Sequence, residues 1–308
     1  MTEPAQHLSS DHRLPGLTAR QSQRVRDHAR EVLAERGFEA VVHAEHLRLA
    51  NGLEIGLRTL GSVCHQHPEA RWRETVARWL DDALGTYPEP PPPLTPAQLR
   101  DGVHLRLAPL GLMGRDWSNH LSYARSIGAG FFEVLAHKDG DYVRWVNDAE
   151  AAAVGVEELR SLGRRRLLEI RPDECELVSG HGTEVHVLRG ESGFIASKLL
   201  VLRDTLRVFG GPRMRYPDGV LVAVPNRHTL AFAPVDATYV ETIAGLFALA
   251  GFDYAHGHAP LTPEVYWWQD DRIHQIFDPT AVEPTLHPDL PAAFLDFYDR
   301  FRTDRGAA

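Results

Sequence analysis

Toward the C-terminus the chain gathers side chains suited to holding a metal ion: Asp253, then His256-Gly257-His258, then Asp270, Asp271 and His274. Neutral imidazole suits zinc, and carboxylate completes a Zn or Mn shell, so two histidines and a carboxylate would make a hydrolytic centre. A hairpin through Asp270-Asp271 would fold His274 back toward the His-Gly-His loop. In the competing reading His256 and His258 are polar turn residues between Gly251 and Pro260, and Asp270-Asp271 supplies only turn geometry. Neither HExxH nor CxxC spacing is present to favour the metal.

The other clusters are looser. Cys64-His65-Gln66-His67 could hold zinc or activate a thiol, yet it stands where a helix ends before Pro68, and helix ends commonly gather histidine. Cys175, His181 and His186 share no motif, and His186 alternates with Val185 and Val187 as an outward strand residue does. Ser197-Lys198 has the residue types of a serine nucleophile and its base. Adjacent helical residues diverge by about 100°, however, and cannot share a proton. Ser192-Gly193 and Ser179-Gly180 lack the flanking glycine of a nucleophile elbow. Gly210-Gly211 and Gly128 with Gly130 complete no phosphate-binding loop. Arg164-Arg165-Arg166, with Arg160, is a basic run that would meet an anion or form one solvated helical face. Trp267 and Trp268 fall on opposite sides of one strand. One serves the core, and the other is expected to be exposed or covered by a partner at an interface.

Composition narrows the classes. The chain has 308 residues, a net charge of −9 and a pI near 6.0. That balance opposes attraction to nucleic acid phosphates or anionic lipid. Two isolated cysteines suit a reducing compartment, and no run approaches the roughly 18 apolar residues of a spanning helix. The expectation is a cytoplasmic protein without nucleic acid or membrane partners. Abundant Arg and Ala with little Lys reads as a GC-rich bacterial coding bias.

The elements that must position these residues follow from period and punctuation. Residues 1–17 are polar and predict a tail. Thr18 caps a helix reaching Arg36, with Val25, Ala29, Val32 and Leu33 at helical spacing and Gly37 as the stop. Three short strands follow, with Asn51-Gly52 as a type I′ hairpin signal. From Leu60 a helix returns, carrying Trp72, Val76, Trp79, Leu80 and Leu84. Residues 18–86 thus form a helix–three-strand–helix module. Residues 87–96 hold six prolines, a stiff polyproline spacer, and 97–308 make a larger domain. There, hairpins are expected around Lys138-Asp139-Gly140, Pro225-Asn226-Arg227 and Asp270-Asp271. Glu184 to Leu188 predicts a strand. Helices are expected over 148–168, 196–209, 238–250 and 292–302. Hairpins separated by helices predict an α+β fold with largely antiparallel sheets and packed helices, in two modules.

Several phrases also resemble the YtpQ-like family, a bacterial domain of unknown function. They are Ile55-Gly-Leu-Arg-Thr-Leu, Phe194-Ile-Ala-Ser-Lys-Leu-Leu, and Gly219-Val-Leu-Val-Ala-Val-Pro-Asn-Arg-His-Thr-Leu, followed by the hairpin through Trp268. The resemblance covers roughly residues 18 to 276. It implies a fold and carries no reaction, cofactor or site residue. In element order alone, the first module is similar to secretion-chaperone-like folds that bind other proteins. The expectation is therefore a non-catalytic protein-binding or adaptor protein with no cofactor, and the alternative is a metal-dependent hydrolytic enzyme.

Overall fold

The computed structural model describes residues 11, 13–35, 40–49, 54–86, 92–110, 113, 117–139, 142–180, 182–211, 215–257, 259–277 and 285–306. The chain divides into two compact units, residues 1–93 with 252–260, and residues 94–251 with 261–308. The architecture is α+β, and every strand pairing described is antiparallel.

In the first unit, α1 (Ala19–Glu35) starts from a capping box. Gln21 N–H donates to Thr18 Oγ1 at 3.3 Å, and Thr18 N–H donates to Gln21 Oε1 at 2.9 Å. Its Val25, Ala29, Val32 and Leu33 stripe packs with Leu60 of α2 (Arg58–His65) and Trp72, Val76 and Leu80 of α3 (Trp72–Thr86). Leu47 and Ile55 join them from the sheet β1 (Ala40–Val42), β2 (His46–Leu49), β3 (Glu54–Gly56). Two helices follow the sheet, the first ending before Pro68 as expected, because Pro68 cannot continue it. The expected tail to residue 17 is corrected as well. Leu14 and Leu17 are fully buried in this core, and Asp11 pairs with Arg26 at 2.8 Å, so the chain is tied down from Asp11 onward. Residues 1–10, Gly37, Asn51-Gly52 and most of the proline run lie outside the described residues.

The second unit opens with α4 (Pro96–Gly102), capped by Thr95. A four-stranded sheet follows: β4 (Val103–Pro109), β6 (Phe131–Asp139) and β5 (Arg125–Gly128) in that order, with β7 (Tyr142–Trp145) on β6. The outer edge of β4 is closed by helix. Within α6 (Val156–Glu169), a Cβ on Gly163 would come 2.7 Å from Leu105 N, so only glycine allows this approach. Further along, Ser197 Oγ accepts from Leu107 N–H at 3.0 Å. The single helix expected over 148–168 is two, α5 (Asp148–Val154) and α6, separated by Gly155 at φ +108°.

The second sheet is six-stranded, in the order β13 (Arg272–Gln275), β12 (Val265–Gln269), β10 (Val220–Ala223), β11 (Thr229–Pro234), β9 (Thr183–Arg189), β8 (Glu174–Gly180). Both faces are covered, so its central strands read as continuous apolar runs rather than alternating ones. Val220, Val222, Phe232 and Trp268 meet Leu199, Leu202 and Leu206 from the 3₁₀ segment Ala196–Val201 and α7 (Leu202–Phe209). Leu221, Ala233, Val265 and Trp267 meet Ile243 and Leu246 of α8 (Tyr239–His256), and Phe294 and Phe297 of α9 (Ala292–Gly306).

Candidate functional site

The metal candidates belong to both compact units. α8 runs through to His256, so this residue ends a helix rather than lying in a loop. It sits in the first unit, stacked on Phe252 at 4.5 Å and 6.1 Å from the His65 ring. His258 lies outside the described residues. Asp270 and Asp271 form the β12–β13 turn in the second unit, at φ 51° and 61°, the left-handed pair that a type I′ hairpin requires. Both carboxylates are exposed and face Arg203, at 3.6 Å and 3.0 Å. His274 packs 5.3 Å from the Trp267 ring, and burial, with Arg272, lowers its pKa. Among the described residues no three His, Cys, Asp or Glu side chains come together to hold a metal.

Trp267 and Trp268 do face opposite sides of β12, but neither is exposed. Their exposures are 1% and 3%. The expectation of one open tryptophan fails because each face of the sheet has its own helical cover. Trp267 Nε1–H donates to Asp218 O at 2.9 Å, and Arg203 lies 5.3 Å over the Trp268 ring.

The arginine run also divides. Arg166 donates to Val103 O at 3.0 Å, at the start of β4, and to Arg100 O in α4. Arg165 is exposed. Arg164 pairs with Asp204 at 2.6 Å and lines a cleft of about 340 Å³ with Arg125, Arg203, Arg272, Trp268 and Asp271. Three residues read separately from the sequence, Arg164, Trp268 and Asp271, therefore meet at one cleft whose lining is rich in arginine. Arg203, which joins them, carried no sequence signal.

The least expected feature is β8. It is the end strand of the six-stranded sheet, all seven of its residues are exposed, and no described strand pairs with its outer edge. Val178 stands opposite Val185, and Glu176 opposite Val187, in the row of one covered face. Leu177 stands opposite His186, and Cys175 opposite Leu188, in the row of the other. Both apolar rows thus run out to the edge, where Leu177 and Val178 are 50% and 45% exposed. At the turn end of this ribbon lies a recess of about 530 Å³, lined by Ser179, Thr183, Glu184, His186, Asp236 and Thr238. Glu174 on the strand, with Glu184 and Asp236 in the recess, makes the region acidic, while Glu176 pairs with Arg189 at 3.3 Å. The signal in the sequence was faint, a Leu-Val pair closed by Gly180 and Gly182.

The remaining reactive groups are structural. Cys64 is buried and its thiol is pushed up to about 12, whereas Cys175 is free and exposed. Ser197 and Lys198 do not face each other. Ser197 Oγ closes β4, and Lys198 Nζ donates to Leu167 O at 3.0 Å, capping the end of α6. The phrases Phe194-Ile-Ala-Ser-Lys and Pro-Asn-Arg-His lie together, since Ala196 N–H donates to Arg227 O at 3.2 Å and Gly190 N–H to His228 O at 3.2 Å. No protein-family model, curated protein or solved structure matches the chain.

Proposed function

We propose that this is a non-catalytic protein-binding protein that takes an extended segment of its partner alongside β8. The observation that carries the reading is the open outer edge of that strand, with Leu177 and Val178 exposed at the ends of two covered apolar rows. An incoming strand would pair with the unpaired backbone groups of β8 and continue both rows, which supplies affinity through main-chain hydrogen bonds and specificity through alternate side chains. Glu174, Glu184 and Asp236 select a segment bearing basic residues. The same reading takes the chain as a bacterial, cytoplasmic protein of the YtpQ-like family, and its free thiols suit that compartment.

The test is capture from native lysate at low and moderate salt with wild type and with Leu177→Lys/Val178→Lys, which charges the edge without touching a core. A stoichiometric partner held by wild type, weakened by salt and lost with the double variant supports strand addition. Equal retention by the variant refutes it. A salt-sensitive dimer of the chain itself, lost with the same variant, would assign the edge to self-association instead.

A further inference from the structure

Arg106 lies in the middle of β4 and is 4% exposed. Its Nη1 is buried with no hydrogen-bond partner, and among the described residues no carboxylate pairs with it. The guanidinium is held over the Phe194 ring, 5.0 Å from its centroid, and His104 stacks on the same ring at 4.7 Å. The charges that depress Arg106 and His104 are positive. Burial and the nearby Arg227 both push the Arg106 pKa down. Burial, followed by Arg166, Lys138 and His137, does the same to His104, although its backbone hydrogen bond to Gly102 pulls the other way. A guanidinium does not give up its proton in proteins, so Arg106 stays charged and bears the cost of burial without a counter-ion.

We propose that Arg106, seated on Phe194 and joined by Arg227 from the β10–β11 turn, binds the oxyanion of a small phosphate- or carboxylate-bearing ligand. The planar fork of arginine matches such a group in two-point geometry, and a buried pair gains from the low dielectric around it. Phe194 fixes the fork from one side, and Arg227, half-buried in its turn, extends the positive field toward solvent. The segment carrying Phe194 is itself anchored to β4 through Ser197 and to the turn through Arg227 O, so the parts of the site are mutually braced. This site is independent of strand addition at β8.

The experiment measures melting temperature and anion titration of the full chain in inorganic phosphate, sulfate and acetate against chloride at matched ionic strength. Wild type is expected to melt higher in a bound oxyanion, because a ligand that binds only the folded state stabilises it. A response to phosphate alone assigns a phosphoryl ligand, and a response to acetate as well assigns a carboxylate. Arg106→Met is expected to abolish the response while melting no lower than wild type in chloride, since it removes an unpaired buried charge. Arg227→Gln, whose side chain is half-buried and outside the cores, is expected to raise the apparent Kd by about tenfold, as loss of one charge-assisted contact does. The proposal is overturned if wild type melts identically in all four anions, or if Arg106→Met or Arg227→Gln keeps the full response.

Discussion

Lys198 offers a prediction whose size can be worked from its surroundings. It is 3% exposed, with Nζ on Leu167 O at 3.0 Å, and burial together with the Arg171 charge lowers its pKa from 10.5 to about 8. Each tenfold change in proton affinity is worth about 1.4 kcal/mol, so the protonated amine weakens the folded state by about 3 kcal/mol. Below pH 8 both folded and unfolded chains hold the proton, and this cost is fully present. Between pH 8 and 10.5 the unfolded chain holds a proton that the folded one has released, so stability rises with pH across that window. In Lys198→Met the dependence disappears. Near pH 7 the relief of the buried charge is offset by about 1–3 kcal/mol for the unpaired Leu167 carbonyl. Urea unfolding of both proteins from pH 7 to 10.5 should show wild type gaining about 3 kcal/mol on the variant. The chain has only two lysines, so ¹³C-lysine labelling follows Lys198 directly beside Lys138. Parallel stability curves, or titration of Lys198 near 10.5, would refute the reasoning.

Three further outcomes follow from packing and burial. Gly219→Ala should destabilise by about 3 kcal/mol or more by thermal or urea unfolding, because its φ is +88° and a Cβ would lie 2.3 Å from Trp267 Nε1. Glu150→Ala should cost about 3 kcal/mol, measured in the same way. Its buried carboxylate accepts from Leu94 N–H at 2.8 Å and Asn147 N–H at 3.1 Å and also pairs with Arg144, so its removal leaves the two N–H groups unmatched. A thiol reagent should label Cys175 at once, and Cys64 only on unfolding, since Cys64 is fully buried and its thiolate is suppressed.

Local chemistry made much of the fold legible. The apolar runs around Val220 and Thr229, the Asp270-Asp271 turn and the Thr18 cap each satisfy a demand that a few neighbouring residues can state by themselves. What was not legible depended on contacts between distant segments. Trp268 looked exposable because one strand cannot reveal that α7 and the 3₁₀ segment before it will cover its face. Ser197-Lys198 sits in 3₁₀ geometry because both side chains are drawn to outside partners, the edge of β4 and the end of α6. Residues 252–260 cluster with the first unit although they are far from it in sequence, which no linear division of the chain could display. β8 escaped notice for the reason that makes it a candidate for binding. With every residue exposed, it lacks the buried alternation by which strands are recognised. Arg106 has no sequence signal of its own, and only burial without a counter-charge marks it.

The central claim is that β8 receives a partner's strand, and amide hydrogen exchange over residues 174–180 in the captured complex tests it most directly. Strand addition predicts that the outward-facing amides of β8, about every second residue, exchange freely in the isolated protein and become protected in the complex. Amides already bonded to β9 should change little. Unchanged exchange along β8, with the partner bound and protection appearing elsewhere, would contradict the account.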